Sequence, residues 1–141
     1  VRMRLLPGVL DDASRAVRVE AALVLADLAD RLTDRHRAAY DRAEADFIEA
    51  QMAGAERASA QVNLALLHTA RGRGDQAEAA YEKAIALEPG MANAYWDLAH
   101  VYVQVKRNDD AVRCYEKYIR LRGDSRDASI ARERIEQLRG K

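Results

Sequence analysis

The stretch Tyr81-Glu82-Lys83-Ala84-Ile85-Ala86-Leu87 returns thirty-four residues later as Tyr115-Glu116-Lys117-Tyr118-Ile119-Arg120-Leu121, and that recurrence decides the fold. Sliding the sequence by 34 aligns residues 58–91 with 92–125, with twelve positions identical, among them Leu64/Leu98, Ala65/Ala99, Ala77/Ala111, Tyr81/Tyr115 and Ile85/Ile119. A fixed period of this length marks a supersecondary unit that cannot bury its apolar face alone and must stack on its neighbours. Within each copy a first helix, 58–71 or 92–105, is followed after the turn by a second helix carrying the small–aromatic stripe. Each copy therefore predicts a helix–turn–helix. Small residues at Ala65, Ala77, Ala99 and Ala111 let the helix axes approach, and Tyr81 and Tyr115 fill the space between copies.

Composition agrees. The chain has 141 residues, 49% hydrophobic and 33% charged, so it can bury a core and disorder is disfavoured. Ala supplies 28 positions and Pro two, which favours helix. The expectation is an all-α protein, an α-solenoid of stacked antiparallel hairpins. Basic and acidic residues balance at 23 each, which leaves no electrostatic footprint for nucleic acid. The longest apolar run, Ala21 to Ala26, is too short to span a bilayer. These features point to a soluble chain, cytoplasmic or periplasmic, and the excess of Arg over Lys with the abundant Ala suggests a GC-rich bacterial source. One cysteine, Cys114, excludes a disulfide within the chain and reads as a small packed hydrophobe.

The period and residue types resemble the tetratricopeptide repeat. In the first copy Leu64-Ala65 matches the large–small pair of the first helix, Gly72 the turn, Ala77, Tyr81 and Ala84 the stripe of the second helix, and Pro89 its end. In the second copy Tyr95, Leu98, Ala99 and Tyr102 match the first helix, and Ala111 and Tyr115 the second. Gln61, His68, Lys106, Tyr118 and Gly123 depart from the pattern. The last two suit a unit at the end of an array. Asp75-Gln76-Ala77-Glu78 reads as a capping box, and Asn108 or Asp109 as the equivalent cap in the second copy.

Five segments follow: 1–32, 33–57, 58–91, 92–125 and 126–141. One period before the first copy, Ala43, Phe47 and Ala50 occupy the slots of Ala77, Tyr81 and Ala84. A helix from about Asp34 to Ala53, capped by Thr33 or Asp34, is therefore the second helix of a degenerate repeat in 33–57. Further upstream, Leu5-Leu6-Pro7-Gly8-Val9-Leu10-Asp11-Asp12, then Arg15-Ala16-Val17-Arg18 and Ala21-Ala22-Leu23, resembles a HEAT repeat across about residues 4–30, with Ser14 capping the second helix. The last segment is a capping helix, Arg126 to Arg139, begun by Asp124 or Ser125 and striped by Ala128, Ala131, Ile135 and Leu138. The chain opens on Val1 without an initiator Met and reads as a piece of a longer protein.

No catalytic or cofactor motif emerges. His36, His68 and His100 form no metal-ligand pair, and there is no Cys-x-x-Cys. Arg71-Gly72-Arg73-Gly74 lacks the Gly-Lys-Ser/Thr ending of a phosphate loop and reads as an interhelix turn. Glu44, Asp46 and Glu49 read as a solvated face beside the stripe Tyr40, Ala43, Phe47 and Ala50. No enzyme activity, cofactor or metal is expected.

The repeat resemblance implies that the first helix of each unit lines a concave groove. The candidate partner-binding residues are Val62, Asn63, Leu66 and Thr69 from the first copy and Asn93, Trp96, His100 and Val103 from the second. Trp96 has two placements open: facing the groove, since Tyr95 fills the core aromatic slot, or packed under the last helix or against residues 34–53. With Val62, Leu66 and Trp96 in place of the Lys and Asn residues that clamp a carboxylate in some tetratricopeptide domains, the expected partner is an apolar or helical protein segment. Two alternatives accompany this scaffold reading. HEAT-like segments followed by tetratricopeptide repeats resemble the C-terminal region of some bacterial multihaem c-type cytochromes, where they would form a periplasmic assembly arm. Self-association through open solenoid ends is the other, with Leu5, Leu6, Val9 and Leu10 exposed unless something covers them.

Overall fold

A computed structural model describes residues 8–10 and 14–140. Among the described residues every regular element is helical. After a helical stretch at 8–10, the order is α1 (Arg15–Val24), a 3-10 helix (Ala26–Arg31), α2 (Asp34–Met52), α3 (Ala58–Ala70), α4 (Gly74–Leu87), α5 (Ala92–Gln104), α6 (Asn108–Arg122) and α7 (Arg126–Arg139). The two copies of the period are the hairpins α3–α4 and α5–α6, and α7 packs on α6.

Three apolar clusters run along the stack and hand over from one hairpin to the next. Leu10, Ala22, Leu25, Tyr40 and Phe47 pack with Leu67 of α3. Leu64, Ala65, Ala77 and Tyr81 pack with Ala94, Leu98, Tyr102 and Ala111, so the second cluster joins the two copies. Ala99, Tyr115, Tyr118, Ala131 and Ile135 seal the far end. Ala65, Ala77, Ala99 and Ala111 are all fully buried, as close helix approach requires. Leu10 is buried as well, so this residue of the suspected sticky end is already covered, while Leu5 and Leu6 lie outside the described residues.

Both interhelix turns close identically. Gly72 N donates to Thr69 O (3.1 Å) and Arg73 N to His68 O (2.8 Å); Lys106 N donates to Val103 O (3.1 Å) and Arg107 N to Tyr102 O (2.8 Å). This pair of bonds is a Schellman closure, which needs a left-handed residue at its centre. Gly72 supplies it at φ 71° and Lys106, against its preference, at φ 62°.

The cap assignments need correction in both copies. α4 starts at Gly74 behind Arg73 and α6 at Asn108 behind Arg107, neither with a side-chain cap. Glu78 is drawn off the proposed capping box by Tyr102 and Arg107, which donate to its carboxylate at 2.9 Å each. Thr33 occupies the cap position of α2, but its hydroxyl pairs with His36 Nδ1 (3.2 Å) instead of the backbone. Ser125 Oγ does cap α7, accepting from Ala128 N at 3.2 Å. The 3-10 helix is not foreseen by the sequence pattern; its threefold repeat sets Ala26 and Ala29 on one buried face.

Candidate functional site

The floor of the candidate site is aromatic. Trp96 on α5 meets the Tyr115 ring edge-on at 5.5 Å and the Tyr118 ring at 5.0 Å, both from α6. Arg134 on α7 lays its guanidinium over Trp96, 4.9 Å from the ring centroid, and donates from Nη1 to Tyr115 Oη at 3.2 Å. Trp96 therefore takes the second of its two open placements, half-buried under the last helix. Next to it, residues of α5, α6 and α7 enclose a cavity of about 350 Å³ lined by His100, Val103, Tyr115, Ile130, Glu133, Arg134, Gln137 and Leu138.

Only part of the predicted residue set converges there. His100 and Val103 line the cavity, with Val103 36% exposed. Asn93 is exposed one turn before Trp96 and is not part of the lining. The α3 set serves the interior. Val62 is 7% exposed and belongs to the core, so its assignment to an open groove is corrected. Leu66 is half-buried against the same core, to which Ile48 of α2 also contributes. Asn63 Nδ2 donates to Gln51 Oε1 (3.1 Å), and Thr69 Oγ1 to Ala65 O (2.8 Å). On that half of the face, α2 and the helix backbone take up the groups assigned to a partner.

The residues missed are those of α7, read as a solvating cap. The signal was present. One period on from Trp96, His100 and Val103 stand Ile130, Arg134 and Gln137, three of the cavity-lining residues. Extending the 34-residue shift once more would have found them.

A second polar cluster lies at the first turn. Arg71 and Arg73 both reach the Glu44 carboxylate, Arg71 Nε at 3.1 Å from Oε2. Arg71 also binds Asp30 at 3.0 Å and lies over the Tyr40 ring at 5.5 Å. The Glu44 and Arg71 side chains are 10% and 8% exposed. Glu44 is thus no part of a solvated face. The Arg71 Nε–Glu44 Oε2 contact is an ion pair without hydrogen-bond alignment, since neither atom has a hydrogen-bond partner. Asp46, on the same helix, binds Arg18 at 2.9 Å. Arg71's hydrogen bond and charge hold the Asp30 carboxyl below its ordinary range. Burial, reinforced by Arg73 3.5 Å away, pushes the His68 imidazole below its ordinary 6.5. These contacts tie the first turn to the N-terminal helices.

Cys114 is half-buried, and burial pushes its thiol up to about 11, so little thiolate exists near neutrality. Among the described residues no group of three or more His, Cys, Asp or Glu is placed to hold a metal, and no helix is long and apolar enough to cross a membrane. In comparison with known families, residues 56–124 match the family described as Tetratricopeptide repeat. No curated protein matches the chain.

Proposed function

Taking residues 56–124 as a tetratricopeptide-repeat segment, a scaffold that binds other proteins, we propose that this chain is an interaction module whose contact surface is the cavity between α5 and α7. The observation that carries the reading is the cavity's position: it lies on the first helix of the second repeat and on α7, which repeats that helix's register one period later. Its wall combines Val103, Ile130 and Leu138 with Tyr115 beneath, enough apolar surface to receive a few side chains of a partner segment. The face of α3 takes little part, because Val62 and Leu66 are committed to the core.

The test is selection of a displayed random peptide library on the intact chain. Binding of the selected peptides is lost in Val103→Asp and kept in Leu121→Asp, which charges an exposed apolar position on α6 outside the cavity. Binders indifferent to Val103→Asp would place the contact surface elsewhere.

A further inference from the structure

Resting on that reading, we propose that the segment received between α5 and α7 carries an Asp or Glu side chain among apolar residues, and that Arg134 pairs with its carboxylate. Arg134 is the fixed charge of the cavity. Its guanidinium is pinned twice, by the Trp96 face at 4.9 Å and by Tyr115 Oη at 3.2 Å. Other arginines of the same helix have acidic partners: Arg132 stands 3.8 Å from Asp124, and Arg139 is 2.9 Å from Glu116. Arg134 has no carboxylate within ion-pair distance among the described residues, although it is more buried than either.

A guanidinium held this way keeps several N–H donors pointed away from its single hydrogen-bond partner. Arg134 is only half-buried, so water can still reach its remaining donors. An occupant laid against Val103, Ile130 and Leu138 would remove that water, and an unpaired charge left under it would oppose binding. A carboxylate satisfies both the charge and the fork geometry, and no side-chain rotamer of Arg134 need be ordered to meet it. Glu133 also borders the cavity, but it is more exposed than Arg134, so water and salt screen its charge further. A basic segment would meet the fixed guanidinium and be repelled.

The same displayed library decides the matter. Peptides enriched on the intact chain carry an Asp or Glu next to apolar residues. Binding of their synthetic forms is followed by the fluorescence of Trp96, the chain's one tryptophan. Changing the peptide's carboxylate to the amide weakens binding roughly tenfold at low salt. That change leaves the protein untouched, so folding does not enter. Arg134→Gln weakens the acidic peptide equally and makes the amide substitution inconsequential. Enriched peptides without a carboxylate, or an Arg134→Gln protein that still prefers the acidic form, would overturn the proposal. The cavity itself would then stand if Val103→Asp still abolished binding. A library that yields no binder removes both.

Discussion

The two Schellman turns hold the same hydrogen bonds around different residues, and that difference has a measurable consequence. Lys106 sits at φ 62° with no ion pair or hydrogen bond from its side chain among the described contacts. A left-handed conformation costs a non-glycine residue about 1–2 kcal/mol. Replacing it with Gly frees the unfolded chain by about 0.4–1 kcal/mol, which works the other way. Lys106→Gly should therefore stabilise the protein by about 0.5–1 kcal/mol, the difference of the two effects. Gly72→Ala reverses the experiment. A Cβ there would meet nothing within 4 Å, so sterics outside the residue contribute nothing and the cost is its own backbone conformation, about 1 kcal/mol of destabilisation. Urea unfolding followed by far-ultraviolet circular dichroism reads both, as opposite shifts of the midpoint at unchanged slope. A neutral or destabilising Lys106→Gly, slope unchanged, would refute the strain argument and mean that the Lys106 side chain contributes something the turn geometry does not show.

Glu44→Ala should cost about 2 kcal/mol, because it takes the carboxylate from between Arg71 and Arg73, of which Arg71 keeps Asp30 and Arg73 is partly exposed. Thermal melts at two salt concentrations check it, and a change under about 1 kcal/mol would mean water already solvates that cluster. The His68 imidazole is held below 6.5 in the folded state, so the unfolded chain binds the proton first as pH falls. Its contribution is fully present above about pH 6.5 and is lost as pH drops from there toward the lower folded value. In His68→Gln the melting temperature should fall less between about pH 7.5 and about pH 5.5 than in the parent, and equal slopes would exclude His68 as the group responsible.

What the sequence disclosed was whatever the 34-residue period controls. Leu64, Leu98, Ala65 and Ala99 had to face inward in every copy, and α3 and α5 accordingly start 34 residues apart, at Ala58 and Ala92. The helix expected from about Asp34 to Ala53 runs Asp34–Met52, and the last helix keeps its expected bounds, Arg126–Arg139. Contacts with no period were not legible. Glu44 looked solvated because helical spacing set it off the stripe of Tyr40, Ala43 and Phe47. Its burial comes from Arg71 and Arg73, about 30 residues away, which return over it from a turn. The capping box failed similarly: a local motif offered Glu78 to its own backbone, but a tyrosine and an arginine of the next repeat made the better charge-assisted bonds.

In α7 the expected stripe is buried, and a second face of the same helix lines the cavity. Ala128, Ala131 and Ile135 are buried as expected. Counted from the repeat, however, α7 is a further first helix: the slots of Leu98 and Ala99 hold Arg132 and Glu133, both exposed. Leu98 is buried among α3, α4 and Ala111 of α6, and Ala99 against Tyr115 and Tyr118 of α6, contacts that Arg132 and Glu133 do not make among the described residues. Polar residues in those two slots leave no apolar face in water on that side of the helix. The slots of Trp96, His100 and Val103 are a different face, and α7 keeps them as Ile130, Arg134 and Gln137. One helix thus closes the core and extends the inner surface by another unit, with Arg134 serving both through Trp96 and the cavity. A substitution such as Arg134→Gln is therefore read correctly only against Arg132→Gln, which alters the same helix on its exposed face.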